Sequence, residues 1–148
     1  MIKFILLLKA AGVPVGIFTL IGMGLRKTLT TDVAHALIIN HKSELGWPVA
    51  EIEAHALAGG HVKDTLMAAA GLNAISVDYD RRTLTAVDLA KGRTPQLVIA
   101  FATAHKSQPA LRFDEFCDRF LAGEDVIAAT ERGDFQPRNK VDTVSNEK

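Results

Sequence analysis

The sequence has little of the chemistry on which small secreted domains and many enzymes depend. It contains one cysteine, Cys117, and only 6% of its residues are aromatic. A single cysteine excludes an internal disulfide and favours a reducing compartment, and Cys117 is predicted to be a small core residue. The 148 residues are 48% hydrophobic, which suffices for one core without disulfides or a metal ion.

Acidic residues are absent from the first 31 positions. This segment holds four cations, Lys3, Lys9, Arg26 and Lys27, while the rest of the chain holds thirteen basic and seventeen acidic residues. An acidic body would repel nucleic acid phosphates, so nucleic acid is excluded as a partner. A basic, apolar N-terminal segment instead fits contact with the anionic headgroups of membrane lipid.

Motifs for catalysis or cofactor binding are also missing. The glycine-containing stretches "GVPVG" and "LAGGH" lack the strand, lysine and helix of a nucleotide site, and no serine lies in a nucleophile elbow. Glu51, His55 and His61 loosely imitate a metal cluster, but they lack the spacing of a helical zinc site and are better interpreted as solvated surface residues. We therefore predict no enzyme activity, no catalytic residue, no cofactor and no metal site.

The N-terminal apolar stretch is predicted to contact a membrane. Its uncharged run from residue 10 to residue 25 would extend about 24 Å as a helix, which is short of the roughly 30 Å hydrocarbon layer. Pro14, between Gly12 and Gly16, favours a bend, so a re-entrant or interfacial hairpin is the preferred geometry. The alternative is that this segment is the buried first element of a soluble fold. The predicted membrane-contact residues are Phe4, Ile5, Leu6, Leu7, Leu8, Val15, Ile17, Phe18, Leu20, Ile21, Arg26 and Lys27.

An internal repeat follows. "LAGG", "LAKG" and "LAGE" begin at residues 57, 89 and 121, which are 32 residues apart, and "HKS" at residues 41–43 recurs at residues 105–107. Apolar residues at helical spacing, each set ended by glycine, predict a helix, a turn and a second helix in every unit. Extended links such as "AISVDYD" at residues 74–80 would join the units, either as brief strands or as plain connectors. The predicted repeat core is Ile52, Leu57, Val62, Leu84, Leu89, Phe116, Leu121 and Val126.

The predicted fold is therefore mainly α. Three stacked 32-residue helix-turn-helix repeats with short extended connectors would occupy residues 32–131, preceded by the apolar segment at residues 1–31. Residues 132–148 lack apolar periodicity and are predicted to form a disordered polar tail. His41 and His105 hold equivalent repeat positions, with Asn73 between them, and a structural role such as bonding a backbone group at a unit junction is expected for the two histidines.

Three stretches together resemble the bacterial flotillin-like A family. They are "AAGVPVGIFTLIGMGLRK", "HKSELGWPVAEIEAHALAGGHVKDTLMAA" and "AVDLAKG", and the resemblance covers about residues 10–103. Glu53, His55, Leu57, Ala58, Gly59 and Gly60 match the family's Glu-x-His-x-Leu-Ala-Gly-Gly run. The resemblance includes only the membrane-proximal region, and we expect the chain to lack the family's β-rich core and long helical region.

The resemblance implies attachment at the cytoplasmic face of the cell membrane and scaffolding of membrane microdomains. The implied partners are membrane lipid and either other copies of this chain or a full-length flotillin-like relative. A soluble helical-repeat adaptor that binds a protein partner, with the N-terminal segment packed in its core, is the alternative function. A metal-dependent enzyme using Glu51, His55 and His61 is the least favoured hypothesis.

Overall fold

The computed structural model describes residues 1–136, and within this range the chain is mainly helical with no β-strand. The link at residues 77–80 is extended but pairs with no strand. The helices of this part of the chain are α1 (Ile2–Ala10), α2 (Ile17–Leu25), α3 (Thr31–Lys42), α4 (Val49–Leu57), α5 (Val62–Ala74), α6 (Arg81–Lys91), α7 (Thr94–Ser107), α8 (Phe113–Leu121) and α9 (Val126–Glu131).

The helices form two rows. The odd-numbered helices pack against one another in chain order from α1 to α9, and we call them the inner row. The even-numbered helices form the outer row, and they begin at residues 17, 49, 81 and 113, which are 32 residues apart. The helical alternation thus starts before residue 32, because α2 stands one interval ahead of α4.

Local sequence sets the helix boundaries. The Thr30 side chain accepts a hydrogen bond from the Val33 amide at 3.3 Å, and Asp80 and Asp125 cap α6 and α9 in a similar way. Pro95 lies in the first turn of α7, where its missing N–H costs nothing. Gly59 follows α4 with a φ of 85°, a conformation that a residue with a Cβ adopts only under strain.

The repeat core differs in part from the prediction. Ile52, Val62, Leu84, Phe116 and Val126 are all buried. Leu57 and Leu89 are exposed, however, and Leu121 is half-buried, so the prediction that these leucines lie in the core is wrong for the first two. Each leucine follows a buried residue of the same helix by five positions, a rotation of about 140°, which turns it away from the core.

The N-terminal segment packs as part of the protein. Leu8, Val15 and Leu20 are buried in the same hydrophobic core as residues of α3 to α9, together with Val13 and Met23. In this conformation, therefore, the first three do not face lipid, contrary to the prediction. They are buried because α1 packs against α3 and each of the two N-terminal helices turns one stripe inward.

The remaining predicted membrane-contact residues lie at the surface. Phe4, Ile5 and Ile21 are half-buried, whereas Leu6, Leu7, Ile17, Phe18, Arg26 and Lys27 are exposed. Across residues 1–136, no helix combines the length and the apolar character needed to cross a membrane.

The C-terminal boundary of the core lies beyond residue 131. Phe135 is buried, with its ring 5.1 Å from that of Phe116 and 4.5 Å from the guanidinium of Arg119. The predicted polar tail therefore begins too early, because an aromatic residue isolated in the sequence still finds a place on α8. The rest of that prediction, residues 137–148, lies outside the described residues.

Candidate functional site

A buried carboxylate, Asp88 on α6, joins two consecutive helix pairs. The His55 Nε2 atom on α4 lies 2.9 Å from Asp88 Oδ2, and the His61 backbone amide donates to the same oxygen at 2.7 Å. The Thr94 hydroxyl at the start of α7 donates to Asp88 Oδ1 at 3.1 Å. Thr65 on α5 completes the group, with its Oγ1 atom 3.2 Å from His55 Nε2. We call these five residues the Asp88 clamp.

The Asp88 clamp keeps its carboxylate charged while shielding it from water. The Asp88 side chain is only 1% exposed. Burial by itself would raise the pKa of this carboxyl, but the His61 amide, the Thr94 hydroxyl and the His55 ring outweigh burial and hold the pKa below its usual value. A buried charge with this many donors stabilises the fold only as long as every partner stays in place.

Gly60 makes room for the histidine of the clamp. A Cβ atom at residue 60 would collide with the Cε1, Nε2 and Cδ2 atoms of the His55 ring. Gly59 is different, because its φ is positive but a Cβ there would meet no atom. The two glycines of "LAGG" thus serve distinct purposes: the first turns the chain and the second lets the histidine ring lie against the backbone.

A second ion pair links α2 to α4. Arg26 donates to both carboxylate oxygens of Glu53, at 2.8 and 2.9 Å, and the Thr28 hydroxyl donates to Glu53 Oε1 at 2.6 Å. The Arg26 bond and then the Thr28 bond lower the pKa of Glu53 below its usual value. We call these three residues the Glu53 clamp, and it fastens the N-terminal helices to the first repeat.

The arrangement of these groups suits structure rather than catalysis. His55 and Asp88 face each other, with no exposed hydroxyl or thiol beside them. Among residues 1–136, no three His, Cys, Asp or Glu side chains are placed to hold one metal ion. The expectation that His55 is a solvated surface residue is wrong, because it is buried against Asp88, whereas the His61 side chain is 67% exposed. Glu51 instead pairs with Arg81 on α6 at 3.1 Å.

The two histidines of the repeated "HKS" tripeptide differ from the expectation. His105 stacks on Phe101 at 5.3 Å, and its buried Nδ1 atom has no hydrogen-bond partner within residues 1–136. His41 is exposed. The bond to a backbone group at a unit junction is made by Asn73, whose Nδ2 atom donates to the Ser43 carbonyl at 3.3 Å. The amide at the middle of the three equivalent positions thus makes the bond expected of the histidines.

Sequence reasoning missed the partners of the two clamps. Asp88, Thr65 and Thr94 were not identified, nor was the pairing of Glu53 with Arg26. One signal was available, because "AVDLAKG", which contains Asp88, is a family-like stretch that lies 33 residues beyond His55, about one repeat interval.

Exposed apolar side chains concentrate in the N-terminal helices. Among residues 1–136, seven of the twelve large hydrophobic side chains that are exposed fall within residues 1–25, and Phe18 is the most exposed at 90%. The four cations of this segment accompany them, with no acidic residue. An apolar and basic surface of this kind matches the chemistry of an anionic lipid surface.

Comparison with known proteins gives a family for this chain. The model of a family described as "Flotillin-like protein FloA" matches residues 1–94. The chain belongs to the FloA family. That matched range contains every residue of the Asp88 clamp and of the Glu53 clamp.

Individual FloA proteins are similar over shorter ranges. A flotillin-like protein FloA of Desulfitobacterium hafniense (strain DSM 10664 / DCB-2) is 53% identical over 53 residues, which cover 36% of this chain and 16% of that protein. Those of Protochlamydia amoebophila (strain UWE25) and Staphylococcus aureus (strain JH9) are 38% and 40% identical over 81 residues. These two matches cover 54% and 55% of this chain but only 24% and 25% of the relatives. No solved structure matches the chain.

The FloA-like motifs now have a physical interpretation. Arg26 from "GLRK" bonds Glu53 from the Glu-x-His run, and His55 from that run bonds Asp88 from "AVDLAKG". Three motifs that are separate in sequence are therefore joined in space by two ion pairs. Their residues hold successive helix pairs together.

Proposed function

We propose that this protein is a membrane-associated scaffold of the flotillin type, located at the cytoplasmic face of the cell membrane. The observation that carries the proposal is the N-terminal surface, where exposed apolar side chains such as Phe18 and Leu6 lie among cations without an acid. Membership of the FloA family supports the same assignment.

The charge distribution favours lipid over another copy of the chain as the occupant of this surface. Two N-terminal surfaces would bring like charges together, since each carries four cations. The opposite end of the stack is acidic, with seven acidic and three basic residues in residues 112–136, but within that range it exposes no large hydrophobic side chain to meet the apolar one. An anionic bilayer satisfies both the apolar and the basic parts.

Scaffolding is the part of the proposal that rests on the family. We propose that membrane-bound copies organise microdomains by self-association or by joining a full-length flotillin-like relative. The two clamps support a non-enzymatic role, because their polar groups are satisfied by one another.

The alternative function is a soluble helical-repeat adaptor for a protein partner. It is favoured by the burial of Leu8, Val15 and Leu20, which shows that the N-terminal helices can pack in the protein core. Cell fractionation separates the two functions, because an adaptor of this kind stays in the supernatant after lysis without detergent.

Substituting exposed N-terminal residues tests the proposal without removing core side chains. In the Leu6→Gln, Phe18→Gln double variant, we expect the membrane-bound fraction to fall by about tenfold, since two side chains lose their insertion into lipid. The control is the Met67→Gln, Ile99→Gln variant, whose residues are also exposed but lie on α5 and α7. Equal amounts of both variants and of the unsubstituted protein in the membrane pellet would contradict the proposal.

A further inference from the structure

The leucine of the repeated "LA-x-G" motif has no role in the core. Leu57 and Leu89 are 64% and 49% exposed, and Leu25, which occupies the equivalent position on α2, is 77% exposed. Each lies at or near the C-terminal end of an outer-row helix. These three residues, 32 positions apart, form a row that we call the leucine edge.

Basic residues accompany the leucine edge. The six residues after Leu25, Leu57 and Leu89 include no acid, and they contain Arg26 and Lys27, then Lys63, then Lys91 and Arg93. At the fourth position of the row, Leu121 is half-buried and is followed by Glu124 and Asp125. The apolar and basic character therefore extends over α2, α4 and α6 and ends at α8.

The favourable interaction of cations with helix C-termini does not account for this pattern. That effect explains why basic residues follow helices. It does not explain an exposed leucine at the same place in three successive outer helices, nor the acids that follow α8.

The chain terminus adds to the same edge. The Met1 side chain lies directly against Gly24, next to Leu25, and Met1 and Ile2 are both exposed. Lys3 follows them. The leucine edge thus begins beside the N-terminal surface already assigned to lipid and continues from it across two further helix pairs.

We propose that the leucine edge is a second membrane-contact surface, by which the protein lies along an anionic bilayer. The leucines enter the headgroup region, and the cations of the following turns pair with lipid phosphates. The inference rests on the proposed membrane function and extends it from the N-terminal helices to the repeats. A second copy fits less well, because two such edges would bring cations together.

The test uses the purified full chain and sedimentation with vesicles of phosphatidylcholine containing phosphatidylglycerol. We expect Leu57→Gln, Leu89→Gln to weaken the vesicle partition coefficient by about tenfold. Glutamine suits exposed helix positions, so the circular dichroism spectrum and the melting temperature should not change. The matched control is Met67→Gln, Ile99→Gln, since these residues are also 32 positions apart and are 48% and 67% exposed, but on inner-row helices.

Three results would overturn the inference while leaving the membrane function intact. One is unchanged vesicle binding by the Leu57, Leu89 variant when the unsubstituted protein binds. The second is equal loss in the Met67, Ile99 control. The third is a change in oligomer size, measured by light scattering, without a change in vesicle binding, which would assign the edge to a second copy. Failure of the unsubstituted protein to bind any vesicle would instead count against the proposed function itself.

Discussion

Replacing Asp88 with alanine is expected to lower the free energy of unfolding by about 3 to 5 kcal/mol, because the substitution breaks a buried, hydrogen-bonded pair. The carboxylate accepts from the His55 ring, the His61 amide and the Thr94 hydroxyl, and all three donors would lose this acceptor. Urea denaturation followed by circular dichroism gives the measurement. A loss of this size is a large part of the stability of a small domain.

The control for this experiment is Asp64→Ala. Asp64 is exposed in the first turn of α5, so its loss should change the free energy of unfolding by less than about 1 kcal/mol. If Asp88→Ala were as stable as the Asp64 variant, the Asp88 clamp would not hold the helix pairs together.

Replacing Gly60 with alanine is expected to destabilise the protein by about 2 to 4 kcal/mol, since the new Cβ would displace the His55 ring from Asp88. The φ of Gly60 is not positive, so this cost is steric. Gly59→Ala is the matched comparison, because its φ of 85° is strained while the space around it is open, and we expect a loss of about 1 kcal/mol.

A double-mutant cycle shows whether the histidine is the cause. In a His55→Ala background the ring is absent, so Gly60→Ala should cost less than about 1 kcal/mol, which gives a coupling energy of about 2 kcal/mol. A Gly60→Ala loss of the same size in both backgrounds would contradict the interpretation that the glycine makes room for the ring.

Much of the helical alternation could be predicted from the sequence. Glycine turns and apolar spacing are local signals, and they place the helices from α3 to α9 close to their observed positions. Leu57 and Leu89 show the limit of this reasoning. A leucine that recurs at a fixed interval was taken as core, although the angle around the helix relative to Ile52 or Leu84 decides burial, and here it points the leucines outward.

The clamps could not be predicted because their contacts cross repeat units. His55 and Asp88 are 33 residues apart, and Arg26 and Glu53 are 27 apart. Only the stacking of the helix pairs brings them together. Polar spacing along one helix, such as Glu51 with His55, suggested a surface cluster instead.

The N-terminal segment illustrates a third limit, since its apolar composition alone does not tell core from lipid contact. Leu8 and Leu20 are buried, while Leu6 and Phe18 are exposed on the same two helices. A short helix that is apolar on most of its surface can pack on α3 with one stripe and leave the others free. Both interpretations of the segment therefore describe part of it.

The central claim is that this chain binds membranes through exposed apolar and basic surfaces. The most direct test is sedimentation of the purified, unsubstituted protein with vesicles, comparing pure phosphatidylcholine with a mixture containing phosphatidylglycerol at low and physiological salt. Our account predicts that most of the protein sediments with the anionic vesicles and little with the neutral ones, and that salt weakens this binding. Protein that remains in the supernatant with both kinds of vesicle would contradict it.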